Sequence, residues 1–88
     1  MRLYLNYMLF SSRILRFEYQ AHLGSYVVDF KNKRENALLK DIATLKEQYP
    51  TYEVAASKPV HISSGYEATA IITQKPLSFE PQKDNQDA

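Results

Sequence analysis

No cysteine and no tryptophan occur among the 88 residues, and glycine and histidine occur only twice each. Without cysteine, disulfides, thiolate zinc sites and thiol nucleophiles are excluded. With glycine only at Gly24 and Gly65, neither G-x-x-x-x-G-K-[ST] nor G-x-G-x-x-G can be written, so phosphate-cradling loops and dinucleotide fingerprints are excluded too. His22 and His61 have no second histidine at metal spacing, and no G-x-S-x-G elbow surrounds any serine. No apolar run approaches the ~18 residues of a membrane span. The stretch Leu3–Phe10 is interrupted by Asn6 and has no small-residue cleavage site behind it. Neither a signal peptide nor an anchor is expected, and the cytoplasm is the default compartment.

What is present is ordinary for a folded soluble chain: 44% apolar residues, 24% charged and a formal net charge of +1. That balance excludes a disordered polyelectrolyte and a frankly basic nucleic-acid coat. The length suits a single domain over residues 1–75. Residues 76–88, with two prolines and a polar end, read as a disordered or loosely attached tail. A domain of this size buries only ~60% of the surface of its unfolded chain, so a partner or a second copy is the expected source of extra stability.

Side-chain periodicity sets the elements. Leu15, Phe17 and Tyr19 alternate with Arg16, Glu18 and Gln20; Tyr26, Val28 and Phe30 repeat the pattern with Asp29 on the other face. Gly24 lies between them, so residues 13–30 read as a β-hairpin. Leu38, Ile42, Leu45 and Tyr49 form one stripe of a helix over 33–49, widened by Leu39. Asn32 stands as its N-cap with Glu35 at capping-box spacing, and Pro50 ends it. Tyr52, Val54 and Ala56 then alternate. Residues 66–73 place Tyr66, Ala68, Ala70 and Ile72 on one face, and the partly apolar opposite face suits a strand covered on both sides. Val60–Ile62 extends this second hairpin. Before the first hairpin, Leu3, Leu5, Tyr7 and Leu9 share a strand face, while Leu3, Tyr7 and Phe10 equally share a helix face; the aromatic content favours a strand.

The expected fold is α+β: one antiparallel or mixed sheet of four or five strands against a single helix, in the order (β)ββαββ. In outline this order over residues 13–74 is similar to the β-grasp and immunoglobulin-binding bacterial domains. The likeness rests on element order alone and transfers no functional residue.

For function, the acids are scattered singly and the histidines read as structural or solvent-exposed, although Glu53 or Glu67 could approach His61 across a sheet. A non-enzymatic protein without cofactor or metal is expected. Charge is unevenly spread: residues 1–34 carry six cations against two acids, net +4, and residues 35–88 carry five against eight, net −3. Arg13, Arg16, Lys31, Lys33 and Arg34 are therefore candidates for an anion-binding surface, and nucleic acid is the partner that would use it. The alternative is that Arg13 and Arg16 pair with acids across the sheet. A second candidate surface is Leu3, Tyr4, Leu5, Tyr7, Met8 and Phe10, apolar on nearly both faces and expected to be buried by the fold, a second copy or a partner. A homodimer acting through protein contacts is the first expectation, and an accessory nucleic-acid-binding protein is the second.

Overall fold

Alternation produces the first hairpin where expected: β1 (Arg13–Gln20) and β2 (Ser25–Asn32) pair antiparallel, turning through Gly24 at φ +65°. A computed structural model describes residues 3–75, so the expected tail at 76–88 lies outside the described residues. Helix α1 (Glu35–Gln48) follows, then β3 (Tyr52–Ala56), β4 (Val60–Ile62) and β5 (Gly65–Gln74). They form one five-stranded sheet in the order β1-β2-β5-β3, with β4 also paired to β5. Strand β5 is antiparallel to both β2 and β3. Hence β2 and β3 run parallel, and α1 crosses over β5 to join them. The α+β fold with a single helix is as expected.

The helix lies on the face that carries Val28 and Phe30 of β2 and Ala68, Ala70 and Ile72 of β5. Leu38, Ile42 and Leu45 of α1 complete this core, and Phe30, Leu38, Leu45, Ile72 and Val28 are its largest fully buried side chains. Each contributes roughly 1.5–3 kcal/mol over leaving it exposed. Alanines at 68 and 70 leave room in mid-sheet for the leucines of the helix.

Several local expectations are corrected. The helix begins two residues late, with Arg34 rather than Asn32 at its N-cap position. Asn32 is the last residue of β2, paired to Tyr66, and its Oδ1 instead accepts from the Arg34 N–H at 3.0 Å. Strand pairing holds the asparagine back from the helix. Leu39 is exposed, and the slot it was expected to share on the buried stripe belongs to Asp41. In β1 the register shifts between Ile14 and Arg16, a bulge that throws Leu15 out of the alternation. Ile14 takes its place opposite Phe30, and Leu15 is exposed. The second face of β5 is not covered: helix and core lie on one side, and Ile71 on the other is exposed among the described residues. Finally, residues 3–12 form no strand. They contain a single 3₁₀ turn at Tyr7–Leu9 within an irregular strap.

Gly65 opens β5 at φ +138°, and a Cβ there would stand 2.6 Å from the Asn32 carbonyl oxygen and 2.9 Å from the Lys33 Cα. Gly24 has positive φ but open space around it. Gly24→Ala should therefore cost only the left-handed strain, about 1–2 kcal/mol. Gly65→Ala adds a backbone clash and should cost roughly 2–4 kcal/mol. Urea denaturation of both variants checks this, and equal losses would contradict it.

Candidate functional site

The strap over residues 3–12 is held to the helix side of the molecule by side chains distant in sequence. At its start, the Leu3 N–H donates to the Tyr26 hydroxyl at 3.1 Å. In its middle, the Tyr49 hydroxyl accepts from the Asn6 N–H at 3.1 Å and donates to the Tyr4 carbonyl at 3.0 Å. Asn6 also caps the 3₁₀ turn, its Oδ1 accepting from the Met8 N–H. At its end, the Asp41 carboxylate accepts from the Ser12 N–H at 2.7 Å and the Ser11 N–H at 3.1 Å. The Ser11 hydroxyl donates to the same carboxylate, and Asn32 Nδ2 donates to the Ser12 hydroxyl at 3.1 Å. Asp41 is only 3% exposed, so these N–H groups replace its water.

These anchors explain why the segment is not a strand. The N–H groups of Leu3, Asn6, Ser11 and Ser12 are engaged by the side chains of Tyr26, Tyr49 and Asp41, and those of Met8, Leu9 and Phe10 within the strap itself, not by the free edge of β1. They also sort its apolar residues. Leu3 and Phe10 turn inward and join the core, with Phe10 5.4 Å from the Phe30 ring, and Leu5 is half-buried against them. Tyr4, Tyr7 and Met8 point to solvent, Met8 at 91% exposure. Leu3, Phe10 and Leu5 of the candidate interface are thus covered by their own chain, and Tyr4, Tyr7 and Met8, with Leu9, form an outward ridge.

Beside the start of the strap lies an open cleft of about 700 Å³ on the helix side of the sheet. Tyr4 is one wall; Phe17, Tyr19, Tyr26 and Tyr52 supply the aromatic lining. Phe17 stacks on Tyr26 at 5.4 Å, and Tyr19 meets Tyr26 edge-on at 5.1 Å. Register makes this cluster: Phe17, Tyr19, Tyr26 and Tyr52 all lie on the helix-side face of their strands, near the end where β5 finishes.

The candidate cations fall into two groups. Arg16 is engaged, its Nε 2.9 Å from Asp29 Oδ2 and its Nη1 3.9 Å from Glu18, and Asp29 also accepts from the Thr69 hydroxyl. These contacts make a polar row across the open face, the pairing foreseen as the alternative for Arg16. Arg13 and Lys31 are directly opposed in the β1–β2 register, and Lys33 and Arg34 follow at the start of the helix. Among the described residues none of these four takes part in an ion pair. They stand at the other end of the sheet from the tyrosines, about 20 Å away for six residues of extended strand.

His61 lies opposite Tyr66 in the β4–β5 register with the rings 5.0 Å apart. The expected approach of Glu53 or Glu67 to His61 is not made: Glu53 pairs with Thr73, seven positions along β5 from Tyr66, and Glu67 alternates onto the face opposite Tyr66. No group of three potential metal ligands occurs among the described residues. No described helix is long and apolar enough to cross a membrane. No family model matches the chain, and no curated protein or solved structure matches it either.

Asp41 was not among the residues singled out from the sequence. Its signal was there: Leu38, Asp41, Ile42 and Leu45 occupy i, i+3, i+4 and i+7, an apolar stripe with a carboxylate inside it. Asp41→Ala should cost roughly 2–5 kcal/mol, because two strap N–H groups lose their acceptor. Hydrogen exchange should accelerate at the Ser11 and Ser12 amides while the Val28 amide follows only global stability. Unchanged exchange at Ser11 and Ser12 would contradict the clamp.

Proposed function

We propose that this chain is a small non-enzymatic binding module that acts through protein contacts and associates with a second copy of itself. The observation that carries the reading is the ridge of Tyr4, Tyr7, Met8 and Leu9, all exposed on a strap whose backbone is tied down at three places. Large apolar side chains grouped on a protein surface mark interaction sites. Fixing them before contact lowers the ordering cost of association. Tyrosine and methionine are also enriched where protein surfaces meet.

Light scattering should give a mass of twice 10.2 kDa for the chain. Met8→Asp should return it to the monomer mass with an unchanged far-ultraviolet spectrum, since Met8 makes no core contact. A wild-type monomer throughout the micromolar range would overturn the reading. Met8→Asp is a cleaner probe than deletion of the segment, which would also remove Leu3 and Phe10 from the core.

A second reading, an accessory nucleic-acid-binding protein, is favoured by the opposed Arg13 and Lys31 with Lys33 and Arg34 beside them. Such a corner would hold phosphates by charge, with no base stacking from the distant tyrosine cleft. Binding to a single-stranded oligonucleotide should then fall steeply with salt, and Arg13→Ala with Arg34→Ala should flatten that slope by about two. Undiminished binding by this double variant would remove the reading.

A further inference from the structure

The ridge and the cleft meet at Tyr4, which stands on the strap and also forms a cleft wall. A convex apolar feature thus adjoins a concave one at Tyr4. We propose that the ridge of one copy seats in the tyrosine cleft of a second copy, and reciprocally, about a two-fold axis. This rests on the self-association reading above and names the surface that receives the ridge.

Three observations favour a second copy as the occupant. The first is area. Tyr4, Tyr7, Met8 and Tyr19 are 76%, 56%, 91% and 56% exposed. At the ~200 Å² typical of a large side chain they offer on the order of 500 Å². The cleft walls and Leu9 bring the patch toward the ~800 Å² per partner of a stable interface. The second is charge. No ionisable acid or base other than tyrosine lies between Leu3 and Ser12, so an incoming ridge brings no charge into the aromatic lining of the cleft. The third is the exposed edge of the sheet. The Leu15 bulge interrupts β1, which disfavours joining two copies strand to strand and leaves side-chain packing as the mode of contact.

The shape also sets the symmetry. When each molecule carries both halves of a contact side by side, a two-fold pair satisfies both halves at once and closes. Methionine suits the tip of such a ridge. Its unbranched chain adapts to an irregular cavity, and its sulfur is favourably placed against aromatic rings. The receiving rings are fixed in turn by the Phe17–Tyr26 stack and by the bond from the Tyr26 hydroxyl to the strap.

The absence of native cysteine allows a direct test. Met8→Cys and Tyr19→Cys are prepared as separate full-length variants, mixed, and treated with a short thiol cross-linker, and the products are resolved by mass. The 8–19 product should form roughly tenfold faster than the 8–8 or 19–19 product, as the effective concentration at a specific contact requires. A prevailing 8–8 product, or no product from a chain that scatters light as a dimer, would overturn the ridge-in-cleft contact and leave self-association standing. A monomer by light scattering would overturn both.

Discussion

The Asp41 carboxylate is the contact on which the rest of the helix side depends. It sits inside the apolar stripe of α1, where an ion is costly unless hydrogen bonds replace its water. The N–H groups of Ser11 and Ser12 supply that replacement, and in doing so they fix the point where the strap enters β1. With that end fixed and the other tied to Tyr26, Leu3 and Phe10 have one way to turn, into the core. The remaining apolar side chains are left facing outward. One buried charge therefore determines both how the strap closes the core and what it displays.

The sheet divides its chemistry between its faces. Every aromatic side chain of β1, β2, β3 and β5 belongs to the helix side, whereas the open face carries the Glu18–Arg16–Asp29–Thr69 row and the Ser25–Thr73 hydroxyl pair. Those polar groups satisfy one another, Ser25 while nearly buried, so the open face carries no unmet polar demand for a covering layer. Aromatic contact area is concentrated at one end of the helix side, and positive charge that takes part in no ion pair among the described residues lies at the other end of the sheet. A partner read by stacking and a partner read by phosphate charge would dock at different places.

Elements governed by neighbours in sequence were legible from it. The alternation of residues 13–30, the stripe at Leu38, Ile42 and Leu45, and the stop at Pro50 all act within a few positions, and they located the hairpin and the helix. What escaped depends on distant partners. The strap is shaped by Tyr26, Tyr49 and Asp41, which lie 23 to 45 positions away from the groups they bind. Neither strand nor helix periodicity reports such contacts, and a segment satisfied by foreign side chains needs no repeat of its own. Asn32 was misplaced because a helix-capping residue can also end a strand, and pairing with Tyr66 decided the matter. Leu15 was misplaced because one extra residue reverses the alternation around it. Of the candidate surfaces, the list of strap residues mixed core plugs with displayed side chains, which share one composition and differ only in direction.

Strand β5 is bonded to β2 on one side and to β3 and β4 on the other, yet among the described residues it is the last element of the sheet in chain order. Synthesis proceeds from the N-terminus, so the hairpin and the helix emerge while the strand that joins them is still unmade. Until Gln74 clears the ribosome, Val28 and Phe30 lack their β5 neighbours and β3 has nothing to pair with. The sheet therefore closes only after β5 is made, and the segments before it spend that interval as exposed apolar chain.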